Sequence, residues 1–132
     1  MYLFDYCGRN SSCRQGLTPR ARVKSWSYIG ERGREPTTEE IKAAIYQYGP
    51  VVVDVNGSFG AYASGVYDRC NTAGTNHMVT IEGWDEVGEY WIVRNSWGED
   101  WGEGGYIRIK FTDGRGRKCN GIGRVAAFAV IE

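Results

Sequence analysis

One histidine and four cysteines hold most of the chemistry that this chain of 132 residues could do. His77 is the single side chain whose ordinary pKa lies near neutrality, so a proton transfer at that pH runs through it. Cys7, Cys13, Cys70 and Cys119 open two routes. A thiol beside an imidazole becomes a thiolate nucleophile. Four thiolates and an imidazole are also a zinc ligand set, but no Cys-x-x-Cys pair occurs, so neither a metal nor any other cofactor is expected. A lone histidine heading a strand is more often a hydrogen-bonded structural residue than a catalyst. Its surroundings change that balance.

His77 lies in Thr75-Asn76-His77-Met78-Val79-Thr80-Ile81-Glu82-Gly83-Trp84, and downstream runs Asn95-Ser96-Trp97-Gly98-Glu99-Asp100-Trp101-Gly102-Glu103-Gly104-Gly105-Tyr106. These two segments closely resemble the histidine and asparagine signatures of papain-family cysteine peptidases, cathepsins among them. The stretch Pro36 to Val55 and the triplet Gly65-Val66-Tyr67 are similar to the family's elements upstream of its active histidine. The resemblance implies roles. His77 would take the proton of a cysteine thiol and later return it to the leaving amine, and Asn95 would accept from the other ring nitrogen and fix the tautomer. Trp97 would cover that contact and keep water off it. Asp54, Thr75, Met78 and Val125 fall near the pocket that selects the second residue on the acyl side of the cut. An aspartate is unusual there, and Asp54 is expected to favour a basic side chain. A peptide, a protein substrate or an inhibitor is the partner so implied.

The resemblance spans nearly the whole chain but covers about the carboxy-terminal half of the family's catalytic domain. In the family the nucleophile sits in a Cys-Gly-Ser/Ala-Cys-Trp/Tyr motif roughly 130 to 150 residues before the histidine and asparagine. Here 76 residues precede His77 and the motif is absent, as is a matching context for the upstream oxyanion glutamine. By the same resemblance Cys70 and Cys119 match a carboxy-terminal disulfide. Cys13 resembles another bonded position, with Cys7 near enough to close a small loop with it; this is one of three connectivities. The leading expectation is a His/Asn-bearing lobe that needs a cysteine from another segment or chain, or that self-associates through the apolar face carrying Trp97 and Trp101. The alternatives are an inactive papain-like module with a binding or structural role, and a free Cys70 acting as nucleophile within this chain.

These residues need elements to hold them. Thr37 and Glu40 are spaced as a capping box, and Ile41, Ala44, Ile45 and Tyr48 form one apolar stripe, so a helix is predicted over about 38–48, closed by Gly49-Pro50. Val51 to Val55 reads as a strand covered on both faces. His77 to Trp84 alternates, and Glu89 to Asn95, Gly105 to Phe111 and Val125 to Ile131 are further strand candidates. Residues 1–30 read as a loop-rich lead-in with one short strand around Ala21 to Tyr28. The expected fold is α+β: a single domain over 1–132, a papain-like barrel lobe of about five or six mostly antiparallel strands with one main helix.

Sixteen basic and sixteen acidic side chains cancel, with a pI near 6.6, which disfavours nucleic acid as a partner. No apolar run approaches the ~18 residues of a membrane span, and Met1 to Arg14 contains no apolar run, so neither a membrane anchor nor a signal peptide is expected. Seven carboxylates against one arginine lie between Glu82 and Glu103, read as a solvated surface or as a negative rim for cationic ligands. Paired cysteines suit an oxidising compartment, extracellular, secretory or lysosome-like.

Overall fold

A computed structural model describes residues 21–132. Helix α1 (Thr38–Tyr48) starts where its capping chemistry starts. Thr37 Oγ1 accepts from the Glu40 amide at 3.1 Å, and Glu40 Oε2 accepts from the Thr37 amide at 2.8 Å, so two orphan donors are satisfied reciprocally. Gly49 ends it at φ 86°, a positive-φ conformation in which glycine carries no Cβ penalty. Ile41, Ala44 and Ile45 are buried, while Tyr48, the fourth residue of the expected stripe, is half exposed and stacks on Phe128 with ring centroids 3.8 Å apart. Lys42 lies off that stripe and is nonetheless buried, its ammonium 4.7 Å from the Phe111 ring centroid and bonded to Glu39 and Glu86. Burial works against that charge, but the hydrogen bonds to Glu86 and Glu39 outweigh it and raise the pKa above the usual lysine range.

Seven strands form one sheet: β1 (Val23–Tyr28), β2 (Val51–Val55), β3 (Val66–Tyr67), β4 (His77–Asp85), β5 (Tyr90–Arg94), β6 (Tyr106–Lys110) and β7 (Ala126–Ile131). Their order is β1-β7-β2-β4-β5-β6-β3, antiparallel throughout except for the two-residue β3, which runs parallel to β6. Every strand expected from the sequence is present, the short one around Ala21 to Tyr28 as β1, and the two-residue β3 brings the number to seven, past the five or six foreseen. α1 covers one face by packing on β2, β4 and β7. There Val51, Val53, Val55, Val79, Ile81, Val93, Ile107 and Ile109 close a core around Trp91 and Phe59. The other face is open along the paired row Tyr28, Ala127, Val52, Thr80 and Arg94. The expectation that β2 is covered on both faces is thereby corrected: Asp54 is buried, but Val52 is 46% exposed, and among the described residues no element lies over that row.

Candidate active site

Antiparallel pairing of β4 with β5 puts the first residue of β4 beside the residue that follows β5, which is how His77 and Asn95 meet across 18 positions of sequence. His77 pairs with Val55 of β2, and the Asn95 amide donates to the Gly105 carbonyl at 3.0 Å, so each backbone is held before its side chain is considered. His77 Nε2 lies 2.9 Å from Asn95 Oδ1. The Ser96 amide also donates to Asn95 Oδ1, at 2.8 Å, and this fixes which end of the carboxamide faces the ring. With an acceptor opposite it, Nε2 carries the proton, and the lone pair of the neutral imidazole resides on Nδ1. Asn95 is buried, and its Nδ2 finds no hydrogen-bond partner among the described residues.

Trp97 stacks on the His77 ring, centroids 5.0 Å apart and planes 25° from parallel, with its outer side 42% exposed. Beneath it Phe59, 1% exposed, lies 6.4 Å from the His77 ring and 5.5 Å from Trp97. Trp101 packs edge-on against Trp97 and donates from Nε1 to the Gly60 carbonyl at 3.0 Å. Trp101 is thus engaged within the chain, whereas the sequence suggested that it would wait on an apolar face for a partner. Ser96 and Phe59 were not foreseen as site residues. Ser96 acts through its backbone, which carries no residue-type signal, and Phe59 is one aromatic in a loop with no periodicity.

An open cavity of about 520 Å³ is lined by Asp54, Thr75, Asn76, His77, Met78 and Ser96. Three of the four residues proposed for substrate selection therefore border the same space as the histidine. Asp54 Oδ2 accepts from the Thr75 hydroxyl at 2.8 Å and Oδ1 from the Val125 amide at 2.7 Å. Val125 joins through that amide, while its side chain, 48% exposed, borders a separate hollow with Tyr28 and Arg124.

Cys70 and Cys119 form a disulfide, with S–S 2.04 Å and Cα atoms 4.6 Å apart, and among the described residues no cysteine is free. This corrects the alternative in which Cys70 is the nucleophile, since a bonded sulfur has no thiolate to offer. Cys7 and Cys13 lie outside the described residues, and with them most of the loop-rich lead-in. The acidic run is largely spent internally: Glu86 pairs with Lys42, Glu82 accepts from the Tyr106 hydroxyl, Asp85 accepts from the Gly88 amide, and Glu103 pairs with Arg108. Glu103 also accepts from the Tyr62 hydroxyl and the Gly65 amide, which straps the β3 approach to the loop bearing Trp97 and Trp101. The Arg108 guanidinium holds the Glu103 carboxyl down at about 2, with Tyr62 and Gly65 adding to it and burial opposing.

The profile of the papain family cysteine proteases matches residues 2–129. Mouse cathepsin O is 37% identical over 127 residues, covering 92% of this chain and 39% of the relative. Cysteine proteinase 1 of Entamoeba histolytica is 39% identical over 115 residues, covering 80% of this chain and 35% of the relative. The chain therefore spans about two fifths of the curated relatives it matches. Among solved structures, the bromelain protease from Ananas comosus in complex with the inhibitor E-64 superposes with a TM-score of 0.73 at 32% identity, over 92% of this chain and 57% of that one. A profile match over almost every residue, together with the α+β fold, makes this chain a member of the papain family of cysteine proteases.

Proposed function

We propose that this chain supplies the general base and its orienting partner to a papain-like thiol protease whose nucleophile comes from another segment or chain. The reaction is peptide-bond hydrolysis through a thioester. His77 Nδ1 takes the proton of the incoming cysteine thiol, and the resulting thiolate attacks the scissile carbonyl. The imidazolium then returns the proton to the leaving amine, and a water deprotonated by the same nitrogen hydrolyses the acyl-enzyme. Asn95 holds Nε2–H so that Nδ1 faces the sulfur, and Trp97 limits the water that would weaken both contacts. The observation that carries this reading is the 2.9 Å His77–Asn95 contact, oriented by the Ser96 amide.

Asp54 is the proposed specificity residue. Its two oxygens accept from the Thr75 hydroxyl and the Val125 amide, and it borders the cavity beside His77. A basic side chain at the second position on the acyl side is the preference this favours. Peptides with Arg and Leu at that position, cleaved with equal kcat/KM, would remove the proposal. The Cys70–Cys119 bridge supports an oxidising compartment, secretory, extracellular or lysosome-like.

The test is co-expression with a segment carrying the Cys-Gly-Ser/Ala-Cys-Trp/Tyr motif, followed by hydrolysis of a fluorogenic peptide. Thiol-dependent turnover that falls about 10²–10⁴-fold in His77→Ala is expected. A stable complex without turnover would favour the inactive binding or structural module instead.

A further inference from the structure

Between the disulfide and His77 the chain crosses residues 71–76 with no helix or strand. Something other than a sheet ladder has to deliver the imidazole, and two buried asparagines stand where that support is needed. Asn120 is 0% exposed and left-handed at φ 51°, a conformation asparagine tolerates better than most side chains. Its Oδ1 accepts from the Asn71 amide at 2.8 Å. Its Nδ2 donates to the Asn56 carbonyl at 2.8 Å, and its own carbonyl accepts from the Asn56 amide at 2.8 Å, so both main-chain groups of Asn56 are held by one residue.

Asn56, 5% exposed, passes the constraint on. Its Nδ2 donates to the Gly74 carbonyl at 2.8 Å and its Oδ1 accepts from the Ser58 amide at 3.1 Å. On either side of it the Asn76 amide donates to the Val55 carbonyl at 3.1 Å and the Gly57 amide to Asn76 Oδ1 at 2.9 Å. A Cβ on Gly57 would stand 3.1 Å from the Cβ of His77, so the backbone placed by Asn56 lies directly against the histidine. The route from Asn120 through Asn56 to Gly74, and from Gly57 to Asn76, is hydrogen-bonded, and its last step to His77 is the close approach of Gly57.

We propose that Asn120 and Asn56 are positioning residues for His77, acting through residues 71–76 and Gly57 to hold the ring on Asn95. The role rests on His77 being the base, but the experiment reads the imidazole itself, so its failure is separate from any failure of turnover. In the 15N-labelled full chain, the exchange rate of the His77 Nε2 proton and the ring tautomer are measured by NMR. Asn120→Gly keeps the left-handed backbone and removes both side-chain bonds. Thr37→Ala, which loosens the fold at a distant cap, serves as control. The expected result is a folded, disulfide-bonded Asn120→Gly whose Nε2 proton exchanges at least tenfold faster, with a mixture of tautomers, while Thr37→Ala leaves both unchanged. Unchanged exchange in folded Asn120→Gly overturns the proposal, and so does an equal acceleration in Thr37→Ala. Should Asn120→Gly not fold, Asn56→Ala, which cuts the second link, is judged by the same criterion.

Discussion

Asn95 Oδ1 serves the His77 ring and the Ser96 amide together, so removing it frees the imidazole to turn and to exchange tautomers. On the proposed mechanism Asn95→Ala lowers kcat of the complemented protease about 10–100-fold with little change in KM, which steady-state kinetics on a short peptide reads directly. The pair was visible in the sequence because the histidine and asparagine segments are long and specific. What surrounds it was less so. Phe59 meets the ring through a loop contact that no spacing announces, and the buried Asn120 looks in sequence like an ordinary turn residue beside glycine. Asp54 was legible as unusual, but its bonds to Thr75 and Val125 depend on three segments meeting. Asp54→Asn is expected to lower the ratio of kcat/KM for Arg over Leu peptides several-fold, and an unchanged ratio speaks against a charge-based preference.

Among the elements, α1 was the most legible because capping and periodicity are local. Thr37→Ala, which leaves the Glu40 amide unpaired, should cost about 1 kcal/mol in urea unfolding. The β3 strand is the opposite case. Two residues cannot specify a parallel pairing, and the Glu103 strap that holds its approach is built from Tyr62, Gly65 and Arg108 on separate segments. Lys42 was likewise unreadable, since the carboxylate of Glu86 that covers it arrives from the β4–β5 hairpin. The strap predicts a pH dependence. Glu103 ionises at about 2 in the fold, below the ordinary carboxylate range, so its stabilisation is present above that range and is lost as the pH falls from about 4.5 toward 2. Glu103→Gln should flatten that part of the acid-unfolding curve, measured by tryptophan fluorescence.

For the molecule as a whole, one covalent bond ties the loop before His77 to the turn before β7. Closing a loop of 49 residues removes about 4 kcal/mol of unfolded-chain entropy, so Cys70→Ser with Cys119→Ser should lower stability by that order. Along the open row from Tyr28 to Arg94, the side chains of Trp26, Tyr28, Val52 and Met78 are exposed. The claim tested most directly is that His77 activates the incoming cysteine thiol. In the complex with a nucleophile-bearing segment, the rate of alkylation of its cysteine by iodoacetamide is followed against pH. The account predicts a thiolate already formed well below the ~8.5 of a free cysteine, and a return to that value in His77→Ala. Identical alkylation profiles with and without His77 would contradict it.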